Sequence, residues 1–264
     1  MAGRMWSSAP LRHSEWFDND HFRMWLQLRL GVVSAPSGAV CQIKRNDGDP
    51  CLHAITNPCV HPHICSKGPA RLRPHKAVMV AMEQVCKRGG AGVDLERAIP
   101  ALYRVASDGK VTEAILDVVV LSPGSFNSFS VDVTIRCPHS IRNERQNHLS
   151  ANRAAVAACD GELEKLMRYG EEVSPLSLET YGRIGVKSLQ CMRQLTTCVA
   201  TSSSHYCSYS SGSHMLRALL IAVERALAYN IADVTLLSLG HSAGLHALRC
   251  RAASRSSPVP EDRS

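Results

Sequence analysis

Apolar residues recur along this chain in two rhythms, one helical and one extended. In His21 to Leu30 (HFRMWLQLRL), Phe22, Trp25, Leu26 and Arg29 fall at helical spacing and Gly31 supplies a stop, which predicts a short amphipathic helix. Lys76 to Arg88 repeats that rhythm with good helix formers, an apolar stripe through Val78, Met82 and Val85, and Gly89-Gly90 as its end. The middle of the chain is different. Ala114 to Leu121 is apolar and β-branched, halts at Ser122-Pro123-Gly124, and is followed by Phe129 to Cys137 before Pro138, which predicts a hairpin. Residues 149–169 predict a helix stopped by Gly170, Pro175 to Tyr181 a strand, and Gly185 to Val199 another helix. The order α, β, β, α, β, α makes the fold class α/β. Further on, His214 to Tyr229 predicts a long helix with Glu224 and Arg225 on its wet side, and Val234 to Leu239 a strand or a continuation into packed structure.

These elements suggest six segments. Residues 1–38 form an N-terminal amphipathic segment. Residues 39–75 are rich in Pro, Gly, Asn and Asp, with Cys41, Cys51, Cys59 and Cys65 among His53, His61, His63 and His75, so regular structure is not expected there. Residues 76–200 make an α/β core, and 201–213 (TSSSHYCSYSSGS) a Ser-rich linker. Residues 214–250 form a C-terminal helical extension and 251–264 a disordered tail.

Composition narrows the function classes. The chain has 264 residues, 45% of them hydrophobic, which is enough for a sizeable core. Thirty Lys and Arg against 23 Asp and Glu leave a formal charge of +7, so a nucleic-acid substrate is permitted. No run of about 18 apolar residues and no signal-peptide pattern is present, so an intracellular protein without a membrane span is expected. Its eleven cysteines then read as reduced core thiols or metal ligands rather than disulfides.

Two aspartates carry the chemistry. Asp117 and Asp132 each interrupt an apolar strand, and a carboxylate there must be paired, hydrated at a strand end, or bound to a cation. On adjacent strands joined by a loop they can converge at one sheet edge and hold a hard cation such as Mg²⁺, which polarises a phosphodiester and activates water. Lys165 on the following helix, one turn before Tyr169, supplies a positive group for that site. The simpler alternatives are that Arg136 or Arg104 neutralises one aspartate, and that Glu162 or Glu164 pairs locally with Lys165.

This pattern resembles the restriction-endonuclease-like domain, of the PD-(D/E)XK type, that follows reverse transcriptase in some non-long-terminal-repeat retrotransposons. Asp117 and Asp132 match its two strand acids, and Lys165 with Tyr169 its K-x-x-x-Y-like stretch on the next helix. Phe22 to Gly31 is similar to its RLG segment, Arg73-Pro74-His75 to its R-x-H helix start, and Val93 to Pro100 to its E-x-x-x-P step. Glu179-Thr180-Tyr181-Gly182-Arg183 is similar to the segment after the catalytic helix, so the likeness runs from about His21 to Leu239. Leu116 stands where the family has Pro, and Thr134 where the fixed-lysine version has Lys, so catalysis depends on Lys165.

The resemblance implies a small mixed sheet flanked by helices and a detached, Mg²⁺-dependent DNA endonuclease domain without its reverse transcriptase. It implies catalysis by Asp117, Asp132, Lys165 and Tyr169. Glu96 reads as a further Mg²⁺ ligand or as a surface residue beside Arg97. DNA is the implied partner, with no membrane, no small-molecule cofactor and a nuclear location.

The Cys/His segment resembles the zinc-knuckle-like region preceding such domains. Four-coordinate zinc takes Cys and His in short-spaced pairs. His61-x-x-x-Cys65 is one such pair, and Cys41 and Cys59 complete the set Cys41, Cys59, His61 and Cys65. A loop of unliganded Cys and His is the alternative.

Two other functional classes are open. One is a non-catalytic nucleic-acid-binding remnant of the same fold. The other is a serine hydrolase using Gly240-His241-Ser242-Ala243-Gly244, a G-x-S-x-G match, although only twenty residues follow it to supply an acid and a histidine. Trp6, Trp16 and Trp25 could stack on bases or pack an amphipathic segment.

Overall fold

The computed structural model describes residues 19–44, 48–66, 72–105, 107–121, 128–140, 155–202, 209 and 211–240. It is a mixed α/β fold built on a four-stranded mixed sheet flanked by helices. Helix α1 spans Asn19–Leu30, the short α2 His61–Ile64 and α3 Leu72–Arg88. Strand β1 follows at Gly92–Ala98, then a small separate ladder of β2 (Arg104–Val105) and β3 (Val111–Thr112), and then β4 (Ile115–Leu121) and β5 (Ser128–Arg136). Helix α4 (Val156–Tyr169), β6 (Ser174–Glu179), α5 (Val186–Ser202) and α6 (Gly212–Ser238) complete the fold.

In the main sheet the strand order is β1-β4-β5-β6, antiparallel except for the parallel β5–β6 pair. The expected hairpin is β4–β5, paired from Leu121↔Ser128 to Val118↔Val131. Alternation along each strand sends side chains to opposite faces. Val118 and Val120 of β4, Val131 and Val133 of β5, and Leu176 and Leu178 of β6 join Val78, Met82 and Val85 of α3 and Leu195 and Val199 of α5 in the main core. The opposite face of β5 and β6 carries Asp132, Thr134, Ser177 and Glu179 and is covered by α4. Close approach of α4 to β6 depends on Gly161, where an added Cβ would lie 2.4 Å from Ser177 Oγ.

Three sequence expectations are decided here. Of the two readings of Val234 to Leu239, the continuation into packed structure is the one observed, since α6 runs on to Ser238 and the strand does not form. The helix expected as a C-terminal extension is central, because Met215, Leu219, Val223, Leu227 and Ile231 lie in the same core as α3 and the sheet. In α1 the buried stripe is His21, Met24, Trp25 and Leu28, whereas Phe22 and Leu26 are exposed, because α1 turns that face toward α6. Trp25 is fully buried and stacks under the Arg29 guanidinium, so it packs and is not offered to bases. Trp6 and Trp16 lie outside the described residues, as do residues 149–154 of the expected helix, most of the Ser-rich linker and the tail from 251.

One polar clamp ties α1, α3 and α6 together. Asp233 of α6, 1% exposed, accepts from Arg73 at 3.0 Å and lies 3.4 Å from His21 Nε2. His21 stacks on Tyr229, centroids 4.1 Å apart. A buried carboxylate requires this compensation.

Candidate functional site

The chemistry of interest begins where the β4–β5 ladder stops. Val118↔Val131 is its last pair, and Asp117 and Asp132 are the next residue on each strand. With β4 no longer paired to β5, the backbone of Val133 is met by side chains. Asp117 Oδ2 accepts from Val133 N at 2.6 Å, and His75 Nε2 lies 3.2 Å from Val133 O and 3.1 Å from Asp117 Oδ2. A carbonyl oxygen only accepts, so Nε2 is the protonated nitrogen of His75.

Asp132 lies on the α4 face, 4% exposed. Lys165 of α4 reaches it at 2.8 Å to Oδ1 and 2.9 Å to Oδ2. The simpler pairings found other partners. Arg136 bonds Glu164, Arg104 donates to Met167 O, and Glu162 is buried as the acceptor for Ser188 N and Oγ. Lys165 is therefore available to Asp132.

The electrostatics follow from burial against charge. Burial pushes the Asp132 carboxyl up to about 6; Lys165 opposes the shift and the neighbouring Asp117 charge adds to it. Burial also acts on Asp117, but the hydrogen bond and charge of His75, with the Val133 amide, outweigh it and hold that carboxyl below its ordinary value. His75 moves in step: burial lowers it, and the Asp117 carboxylate more than reverses this, so it ends above the usual imidazole range. Two facing carboxyl groups displaced in opposite directions are characteristic of functional sites. Tyr169, at the end of α4, is buried beside the same group, and its phenol is raised by burial and by the Asp132 charge.

Glu96 occupies the register position across from Asp117, between the pairs Leu95↔Val118 and Arg97↔Leu116. Its φ of 52° is left-handed, and it is exposed and pairs with Lys76 at 3.7 Å. Among the described residues it does not join Asp117 and Asp132 in a cluster of metal-ligating groups. His75, by contrast, which the sequence places at a helix start, meets Asp117 directly and lies near Asp132.

A second site is built from the Cys/His segment, which has more structure than its composition predicts. The isolated bridges Val40↔Ala54 and Lys44↔Pro50 fold residues 40–54 into a hairpin, with backbone bonds Cys41 N to His53 O, Leu52 N to Cys41 O and Cys51 N to Ile43 O. The hairpin carries Cys41 and Cys51, and α2 follows with His61 and Cys65 at its ends. The donor atoms of Cys41, Cys51, His61 and Cys65 all lie within 4.8 Å of one another, so the cluster could hold a metal such as zinc. Tetrahedral zinc with Zn–S near 2.3 Å needs sulfur atoms roughly 3.8 Å apart, which this grouping accommodates.

The fourth ligand differs from the expected set. Cys51 takes the place given to Cys59, because the hairpin returns Cys51 beside Cys41, whereas Cys59 uses its backbone carbonyl to accept from Tyr181. Burial pushes the Cys41 thiol up to about 12, against a backbone hydrogen bond from Ile43 and with Cys65 and Cys51 adding. A bound cation reverses that order, since thiolates are its ligands. The hairpin docks on the end of α6: Gln42 N donates to Ser238 O at 2.9 Å, and Cys41, Ile43, Ile55 and Cys65 pack with Val234. No disulfide forms among the described cysteines.

Of the G-x-S-x-G stretch only Gly240 is described, and the residues before it are the helix α6. A nucleophile elbow requires a strand at that position. No described helix is long and apolar enough to cross a membrane. No protein-family model matches the chain, and no curated protein matches it.

Proposed function

We propose that this chain carries a restriction-endonuclease-like site for cation-dependent hydrolysis of DNA phosphodiesters, derived from a retrotransposon polyprotein and acting in the nucleus. One observation carries the proposal. Asp117, Asp132 and Lys165, from two strands and the next helix, meet around the place where the ladder opens. The core implied by the motif order, a small mixed sheet with its acids on neighbouring strands and its amine on the following helix, agrees with the observed layout.

Asp117 and Asp132 supply hard oxygen donors suited to Mg²⁺. When bound, that ion would polarise the phosphate and lower the pKa of a coordinated water. Lys165 would orient the water or neutralise charge developing on the phosphoryl oxygens, and Tyr169 would hold the end of α4 beside Asp132. His75 keeps Asp117 ionised.

A second reading is favoured by the same ion pair. Lys165 occupies both oxygens of Asp132, an arrangement that also suits a folded, non-catalytic DNA-binding remnant. Supercoiled plasmid incubated with the purified chain and Mg²⁺ separates them. Nicking by the wild type that disappears in Asp117→Ala supports the nuclease. Salt-sensitive DNA binding without nicking supports the remnant.

A further inference from the structure

We propose that His75 is a positioning residue for the cation-binding carboxylate, standing in for the strand that β4 ceases to provide beside Val133. The inference rests on the nuclease reading and deepens it.

Its basis is the closed triangle of His75, Asp117 and Val133. The β4–β5 ladder ends at Val118↔Val131, so Val133 presents an amide and a carbonyl to a side where β4, although it runs on to Ile115, no longer pairs with β5. Unpaired, those groups would cost free energy. Asp117 Oδ2 takes the amide at 2.6 Å, His75 Nε2 takes the carbonyl at 3.2 Å, and Nε2 also lies 3.1 Å from that same Oδ2. Two donors thus hold Oδ2, while the same carboxyl group also meets the Asp132 side chain. Without the imidazole, Oδ2 would lose one of its two donors and the carboxylate would be freer to rotate about χ2, whose profile is broad. His75 also fastens this arrangement to α3, the helix whose Val78 and Met82 are fully buried in the main core. The carboxylate is therefore oriented by a rigid element instead of a loop, as metal sites need from the groups behind their ligands.

The test is Mn²⁺ binding to the full chain, read from the loss of the free Mn²⁺ paramagnetic resonance signal, with Asp117→Asn defining the part due to these acids. His75→Leu should weaken that part at least about tenfold while the unfolding transition stays cooperative. His75→Gln, whose amide nitrogen can reach the Nε2 position, should stay within about threefold of wild type. His75→Asn, a bond shorter, should fall with the Leu variant, and this Gln and Asn pair decides the matter if His75→Leu does not fold. Equal affinity in wild type and His75→Leu, or equal loss in the Gln and Asn variants, overturns the positioning role. A wild type with no Asp117-dependent Mn²⁺ binding overturns the nuclease reading, and this inference with it.

Discussion

Lys165 Nζ sits within 2.9 Å of both oxygens of Asp132, joining α4 to the central strand β5 across 33 residues of sequence. A lysine used only for solubility would not be drawn to a 4% exposed carboxylate. Lys165→Met should therefore cut plasmid nicking by at least about a hundredfold, the order lost when one preorganised charge is removed from a transition state. The same substitution should move the Asp132 carboxyl further above about 6, since Lys165 is the group holding it down. Carboxylate infrared or ¹³C titration would show the second effect independently of activity.

The metal-free protein should carry an inverted pH signature from Asp132. Its carboxyl rises from 3.8 to about 6 on folding, so the folded chain binds the proton more tightly than the unfolded one. Stability from this group is full below pH 3.8, falls between pH 3.8 and about 6, and is flat above. The interval amounts to about 3 kcal/mol. Asp117, whose carboxyl is lowered, acts with the opposite sign and loses its contribution as the pH falls. Denaturant unfolding of wild type and Asp132→Asn from pH 3.5 to 7 isolates the effect, because their difference curve should shift in favour of the variant as the pH rises.

Zinc content should distinguish two neighbouring cysteines. Cys51→Ser should lower metal retention by tenfold or more and loosen the hairpin from α6, while Cys59→Ser should retain one zinc per chain. Displacement of zinc by a thiol reagent, read with a chromogenic chelator, measures both. Equal retention in the two variants would argue against the Cys41, Cys51, His61, Cys65 set.

Asp233→Ala should be among the most damaging single changes away from the acid pair. It strips the buried carboxylate from the half-buried Arg73 and from His21, and losing hydrogen bonds to a charged group costs about 1.5 to 3 kcal/mol. The denaturant midpoint should fall accordingly.

Gly185→Ala tests the floor under α4. An added Cβ would lie 2.1 Å from Glu162 Oε1, so Glu162 must leave the Ser188 amide and hydroxyl it now accepts from. We expect a loss of about 2 kcal/mol or more, measured by thermal unfolding.

The acid pair was visible in the sequence for a simple reason. Two apolar strands around a short connection imply an antiparallel hairpin, and Asp117 and Asp132 lie equally far from its turn. Lys165 came with the motif order. His75 was not legible as part of the site because its contacts cross 42 residues to Asp117 and 58 to Val133, and no local pattern encodes them. Cys51 was missed for another reason: the arms of this hairpin are only a few residues long, and the polar run from Asn46 to Pro50 that joins them does not fix which residue returns beside Cys41. Strand β1 escaped notice because Asp94, Glu96 and Arg97 leave it mostly exposed. Helix α6 was set apart by a Ser-rich segment, yet burial, not the composition of the preceding connection, decides which core a helix joins.

The length of α6 has a practical outcome for anyone trimming this chain. Its 27 residues reach from the packing under α5 to the last turn, where Ser238 O receives the Gln42 amide. A truncation placed in the serine tract would discard a wall of the main core together with the ledge on which the cysteine hairpin rests. Such a shortened protein should be recovered as insoluble material with a vacant thiol cluster.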